Sequence, residues 1–308
     1  MTIGYRILLV GLLAMGCSQA RPVMLACPDA SAEAAGRPSR CADEPTTAPA
    51  AIDDQQRLQR LEKGAEELIN RGGVTPAATL IKQLDRRQCA LRLASPGKQK
   101  MTPSRIYDEH RQGVLIVGGV FKCPRCGHWH ANVAGGFLIT ETGAFVTNHH
   151  VAANAKNHTL VAMTHDGRVL AVKEVLSADK EGDVAVLQLD APGAAFKPLA
   201  LSTDAPVGSA VTVISHPDRL FYTLTCGVVS RYSERRREGK EVAAMSITAD
   251  FAQGSSGCPV FNEFGAVAGL VSSTACVYYA MPGGKKGDPQ MVVKQCVPAL
   301  SVLRMVRQ

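Results

Sequence analysis

Three short strings in this 308-residue sequence hold residue types that cooperate in acyl transfer. In Gln253-Gly254-Ser255-Ser256-Gly257-Cys258-Pro259 a serine lies among small residues, between glycines. Such spacing suits a tight turn that lifts a hydroxyl off the backbone and leaves amide N–H groups facing an incoming carbonyl. On its own the string also fits an ordinary surface loop, since short G-x-S-x-G-like strings specify little. Upstream, Thr147-Asn148-His149-His150-Val151 follows the apolar run Ala144-Phe145-Val146, and Asp183 precedes the strand-like Val184-Ala185-Val186-Leu187-Gln188-Leu189. A serine hydroxyl becomes a nucleophile near neutral pH when an imidazole takes its proton. The imidazole in turn needs a carboxylate to fix its tautomer and balance its charge. The order His, Asp, Ser supplies all three.

Together, Thr147-Asn148-His149-His150-Val151, Gly182-Asp183-Val184-Ala185-Val186-Leu187 and Gly254-Ser255-Ser256-Gly257-Cys258-Pro259 resemble the trypsin-like serine proteases, specifically the bacterial HtrA-type branch. The resemblance covers roughly the last two thirds of the chain. It implies that His150, directly before the valine, is the general base, with Asp183 as its carboxylate and Ser256 as nucleophile. It also implies an oxyanion hole from the amides of Gly254 and Ser256, and no cofactor for catalysis. Cys258 departs from the usual glycine or serine; it reads as a buried small apolar residue or as half of a disulfide. Asp250, six residues before Ser256, falls where trypsin-like enzymes place the residue at the base of the specificity pocket. There it would select Arg or Lys, or it would hydrogen-bond its own loop instead, while HtrA-type enzymes tend to take small aliphatic side chains. Gly269-Leu270-Val271-Ser272-Ser273 is expected to pair with substrate as an added strand, with Leu270, Val271 and Ser272 as binding residues. HtrA-type proteins commonly continue into a PDZ domain, for which no residues remain after the last strands here.

Such residues need a rigid frame. Short apolar runs separated by turns at Thr142-Gly143 and Asp166-Gly167 predict an all-β domain over 111–308. Strands are expected at about 114–121, 133–140, 144–148, 159–164, 168–176 and 183–189. A second lobe follows with strands near 210–215, 222–231, 242–249, 259–262, 265–271, 276–281 and 291–297, then a short helix over 300–307. Spacing of this kind suggests antiparallel barrels. The resemblance makes them two chymotrypsin-like six-stranded barrels, with His150 and Asp183 on the first and Ser256 on the second.

Ahead of the barrels, residues 54–110 read as a small helical segment. Leu58, Leu61, Ala65 and Leu68 share one helical face, stopped by Gly72-Gly73. A second helix is expected with Thr75 as N-cap and Pro76 at its first position. The two form a hairpin that either packs on its own catalytic domain or mediates a homo-oligomer; 88–110 reads as mixed strand and loop. Residues 1–20 have the pattern of an export signal, and Leu13-Ala14-Met15-Gly16-Cys17 offers a competing lipoprotein site that would anchor the chain by lipid at Cys17. Residues 21–53, rich in Ala, Pro and Ser, read as a linker. A net charge of +7 over this length fits ordinary solubility, and no nucleic-acid partner is assigned; the partners expected are protein or peptide substrates.

Ten cysteines in an exported chain make disulfides relevant. Cys276 and Cys296 flank Pro282-Gly283-Gly284-Lys285-Lys286-Gly287-Asp288, so a hairpin there would set them opposite one another. Cys123-Pro124-Arg125-Cys126-Gly127-His128-Trp129-His130 has the form of a zinc knuckle. A structural zinc on Cys123, Cys126, His128 and His130, a Cys123–Cys126 disulfide and a reduced turn all fit the string. Two functions stay open: an exported serine endopeptidase, and a binding or scaffold protein on an idle protease fold that uses the knuckle and helices.

Overall fold

The computed structural model describes residues 51–237, 239–280 and 285–307. The signal, lipid-anchor and most of the linker readings therefore lie outside the described residues, as do Cys17, Cys27 and Cys41. In chain order the elements are α1 (Asp54–Asn70), α2 (Ala77–Lys82), β1 (Cys89–Ala90), α3 (Pro103–His110), β2 (Val114–Lys122), β3 (Trp129–Leu138), β4 (Ala144–Thr147), α4 (His149–Ala152), β5 (Thr159–Met163), β6 (Val169–Asp179) and β7 (Val184–Leu189). There follow β8 (Ala210–Ser215), β9 (Thr223–Arg237), β10 (Lys240–Ile247), β11 (Pro259–Asn262), β12 (Val267–Ala280), β13 (Lys286–Pro298), α5 (Ala299–Leu303) and β14 (Val306–Arg307). Two closed antiparallel barrels result, one in the order β2-β3-β4-β7-β6-β5 and one in the order β10-β13-β12-β11-β8-β9.

Strand periodicity explains how the barrels fill and how they meet. Side chains alternate across a strand, so one sequence can serve two cores. In β2, Leu115 and Val117 point into the first barrel, while Val114, Ile116 and Val120 join the cluster at the seam. In β7, Ala185, Leu187 and Leu189 fill the barrel, and Val184 and Val186 face the seam. Val211 and Val213 of β8 fill the second barrel, whereas Ile214 turns to the seam beside Phe221, Tyr222 and Phe261.

The second lobe has six strands where seven were expected, because the runs near 265–271 and 276–281 are one bent strand, β12, with register shifts along its pairing to β13. That register also overturns the Cys276–Cys296 disulfide. Cys276 lies opposite Val292 and Cys296 opposite Val271; the former is exposed, the latter buried, and both are free thiols. The pairing of Ala280 with Lys286 and the register shifts along β12 set Cys276 opposite a residue four positions before Cys296, which moves the two cysteines out of step. The terminal helix ends at Leu303, and β14 then pairs in parallel with β1.

The helical segment is not a self-contained hairpin. Asp53 caps α1, its side chain accepting from the Gln56 amide at 2.9 Å, and Leu61 and Ala65 are buried in the seam cluster with barrel residues. Helix α2 has Pro76, not Thr75, at its cap position; the Thr75 hydroxyl instead donates to the Lys173 carbonyl at 2.9 Å and so ties the segment to β6. An additional helix, α3, occupies a stretch read as strand and loop. Thr102 caps it, accepting from the Arg105 amide, with Pro103 in the first turn.

His216, at the end of β8, joins the barrels. Its Nε2–H donates to the Leu115 carbonyl of β2 at 3.2 Å, and its Nδ1 accepts from the Tyr222 amide at 3.1 Å. The partners fix the neutral tautomer, because a proton on Nδ1 would face an N–H. Complete burial drives the imidazole down to about 4, against the opposing pull of the Leu115 and Ser215 carbonyls.

Two outcomes are expected. Leu61→Ala opens a hole in a fully buried site and should cost about 2–5 kcal/mol in urea unfolding; a loss below about 0.5 kcal/mol would mean that α1 is a loose appendage. An unfolded histidine titrates near its ordinary value and the buried one well below, so the His216 contribution is complete above the ordinary value. It is lost as pH falls towards about 4, by about 3 kcal/mol in all. Unfolding midpoints of the wild type and of His216→Gln at neutral and acidic pH should differ in slope; equal slopes would refute the assignment.

Candidate active site

The Ser256 turn, the His150 imidazole and the Asp183 carboxylate come from three separate connections between strands that meet at the seam. Ser256 lies between β10 and β11, where Gly254 has φ +96° and Gly257 φ +84°. A Cβ at Gly254 would strike the His216 carbonyl oxygen, and one at Gly257 the Gly135 carbonyl and the Thr147 hydroxyl. Glycine is thus required by conformation and by space. The Ser256 carbonyl accepts from the Gly135 amide of β3 at 2.7 Å, and Thr147 Oγ1 donates to the Gly135 carbonyl at 2.8 Å. A Cβ at Gly135 would overlap the Cys258 sulfur. Cys258 is a fully buried free thiol that burial pushes far above the ordinary thiol range, the apolar filler of the two readings of this position.

His150 follows β4 in the single turn α4, whose cap position is Asn148. Its Nδ1 lies 2.9 Å and 3.1 Å from the two carboxylate oxygens of Asp183, and its backbone amide donates to Asp183 Oδ1 at 3.1 Å. Asp183 stands just before β7 with a left-handed φ of +57°, tolerated better by aspartate than by most residues. Its carbonyl accepts from Asn148 Nδ2 at 2.9 Å, and its Oδ2 accepts from the Ser272 hydroxyl at 2.7 Å. Burial by itself would raise its pKa. The hydrogen bond and charge of His150, with the Ser272 hydroxyl, outweigh that and hold the carboxyl below its ordinary range. Between the two adjacent histidines, His150 is the one on the carboxylate.

The Ser256 hydroxyl donates to the Ser272 carbonyl at 3.4 Å. Among the hydrogen bonds of the described residues, none joins it to His150. Around it, the Gln253 carbonyl accepts from the Asp218 amide at 2.7 Å and the Ser255 carbonyl from the Cys258 amide at 3.0 Å. In a trans peptide N–H and C=O point in opposite directions. The amides of Gly254 and Ser256 therefore face away from those donors. The loop carrying Asp218 is itself held from α1: Asp54 Oδ1 accepts from the Phe221 amide at 2.8 Å, and the Arg57 guanidinium sits 5.1 Å from the Tyr222 ring centroid.

Other expected site residues fall differently. Asp250 is not a pocket floor: its side chain is 83% exposed and paired with Lys294 at 3.1 Å. Lys294, the more enclosed partner, also donates to the Phe251 carbonyl at 2.6 Å and lies 5.4 Å from the Phe251 ring centroid. Leu270 and Val271 are buried, and their backbones are taken up by β11 and the nucleophile turn. The strand pairing of β11 with β12 stops at Leu270, Val271 bonds the Gly257 and Cys258 backbone, and from Ser272 onward no strand pairs with β12 on that side among the described residues. In the cysteine string, ligand atoms of Cys123, Cys126 and His130 lie within 4.8 Å of one another. His128 is exposed in the turn before β3 and outside that group.

The sequence reading missed three supporting residues: Asn148, Gly135 and Ser272 as a partner of Asp183. Asn148 stands beside the histidine pair; the other two have no local signal, since cross-barrel contact alone gives them their roles.

The family described as Trypsin-like peptidase domain matches residues 134–270. Similar curated proteins include the "Probable periplasmic serine endoprotease DegP-like" of Brucella suis, 34% identical over 184 residues, covering 58% of this chain and 34% of that one. The protein of the same description from Halomonas elongata is 37% identical over 143 residues, 46% of this chain and 29% of that one. "Serine protease HTRA1B" of Danio rerio is 33% identical over 163 residues, 49% and 32% respectively. The chain thus spans about a third of the length of these relatives. Among solved structures, that of Deg5 aligns with a TM-score of 0.50 at 22% identity, over 65% of this chain and 90% of that one, which supports the fold. The paired six-stranded barrels and the His-Asp contact at their seam accord with these likenesses: residues 134–270 are similar to a trypsin-like peptidase domain, and the matched part of the chain is similar to HtrA/DegP-like serine proteases.

Proposed function

We propose that the chain is an exported serine endopeptidase, with Ser256 as nucleophile, His150 as general base and acid, and Asp183 as the carboxylate that orients the imidazole. The observation that carries this reading is the bidentate approach of Asp183 to His150 Nδ1 at 2.9 and 3.1 Å. It leaves Nε2 as the basic nitrogen. For attack, the Ser256 hydroxyl would leave the Ser272 carbonyl and donate to Nε2 instead. Attack on a peptide carbonyl then passes the proton to His150, which returns it to the leaving amine, and water releases the acyl group by the same route in reverse. The Gly254 and Ser256 amides would hold the oxyanion, since their partner carbonyls are already engaged. A protein substrate would add as a strand along the open edge of β12 from Ser272. Because Asp250 is paired with Lys294, the preference is for an uncharged side chain before the scissile bond rather than Arg or Lys. Export accords with the leader-like residues 1–20 and with relatives named as periplasmic.

A fluorophosphonate probe should label the mature wild-type protein and Cys258→Ala but not Ser256→Ala, and Ser256→Ala should cut kcat by about 10⁴–10⁶. Labelling that survives the loss of Ser256, or none in folded wild type, would sink the proposal. In a peptide library, a clear preference for Arg or Lys at the cleaved position would contradict the specificity assigned here.

A further inference from the structure

The turn between β2 and β3 presents two thiols and an imidazole to one point, away from the catalytic seam. The Gly127 amide donates to the Cys123 carbonyl at 3.0 Å and the Cys123 amide to the His128 carbonyl at 2.9 Å, closing a tight knuckle. Gly127 takes φ +72°, which frees the chain to fold back. The Cys126 sulfur lies 3.2 Å from His130 Nε2, and the Cys123 sulfur completes a triangle with all ligand atoms within 4.8 Å.

From α1, Glu62 Oε1 meets His130 Nδ1 at 3.3 Å and also accepts from the Ala131 amide at 3.3 Å. A carboxylate fixed on one imidazole nitrogen aims the other, which here faces the thiols. This is the outer support found behind metal-bound histidines, and it comes from an element 61 residues upstream of Cys123 in sequence. Cys126 is exposed, so an ion has a path of entry.

We propose that Cys123, Cys126 and His130 bind a zinc ion, with Glu62 as the carboxylate that orients His130 and the fourth position open to water or an incoming side chain. Two thiolates and an imidazole in compact array suit Zn²⁺, whereas Mg²⁺ and Ca²⁺ demand oxygen donors. His128 is not a ligand. The site is independent of the protease reading. It would clamp α1 to the first barrel, because the ligand His130 and its carboxylate lie on different elements.

The test uses the full mature chain, reduced, stripped by chelator and titrated with zinc against a chromophoric competitor. Cobalt(II) serves as a second probe, whose thiolate-to-metal absorption reports sulfur ligation. Equimolar uptake is expected, with at least about 100-fold weaker binding in Cys126→Ser and His130→Ala, about 10–100-fold weaker in Glu62→Gln and no change in His128→Ala. Circular dichroism of each metal-free variant separates lost ligation from lost folding. Failure of the reduced, folded wild type to take up zinc would overturn the proposal and leave a thiol–disulfide pair. His128→Ala as damaging as His130→Ala would overturn the ligand set.

Discussion

Everything at the seam around Ser256 hangs on a backbone-to-backbone contact between the barrels at Gly135. Its amide holds the carbonyl of Ser256, its carbonyl receives the hydroxyl of Thr147, and the space where its side chain would be is filled by the Cys258 sulfur. Thr147 ends the strand that leads into Asn148 and the histidines, so one glycine ties the Ser256 turn to the segment that carries His150. Interiors close-packed like crystals pass such a constraint on without slack. The left-handed glycines 254 and 257 then shape the turn within a gap whose width is already fixed.

The polar groups around Asp183 answer a second need. A carboxylate largely removed from water is costly unless it is hydrogen-bonded and charge-balanced. Here its acceptor sites are occupied by His150 through ring and backbone, and by Ser272 from the other barrel. Ser272 does two things from one position, since its carbonyl also receives the Ser256 hydroxyl. The residue linking the Asp183 carboxylate to the Ser256 hydroxyl thus belongs to β12.

What could be read from the sequence was what is local. Asp183 before an alternating strand, the His150-Val151 pair after an apolar run and glycines around Ser256 are short-range patterns, and the barrel strands other than β12 announced themselves as short apolar runs between turns. Features that depend on register were illegible. Cys276 and Cys296 look symmetric about a Gly-rich turn, yet the bend of β12 shifts their pairing, and Asp250 acquires Lys294 only because β13 folds back beside it. Helix α3 is a different case. Thr102-Pro103 is the same start signal as Thr75-Pro76, but too few apolar residues follow it to show a periodicity, and only Ile106 is buried.

Helix α1 has a further meaning as a strut. Asp54 at its first turn supports the loop whose Asp218 amide holds the Gln253 carbonyl, and Glu62, eight residues and about 12 Å of helix rise farther on, supports the Cys-His knuckle. The recognised peptidase segment, 134–270, includes neither residue. Trimmed to that segment, the chain would lose the acceptor of the Phe221 amide and the plug that Leu61 makes in the seam. The supports of the Ser256 turn thus extend in sequence well beyond residues 134–270, and the outermost of them is a helix in contact with neither Ser256, His150 nor Asp183.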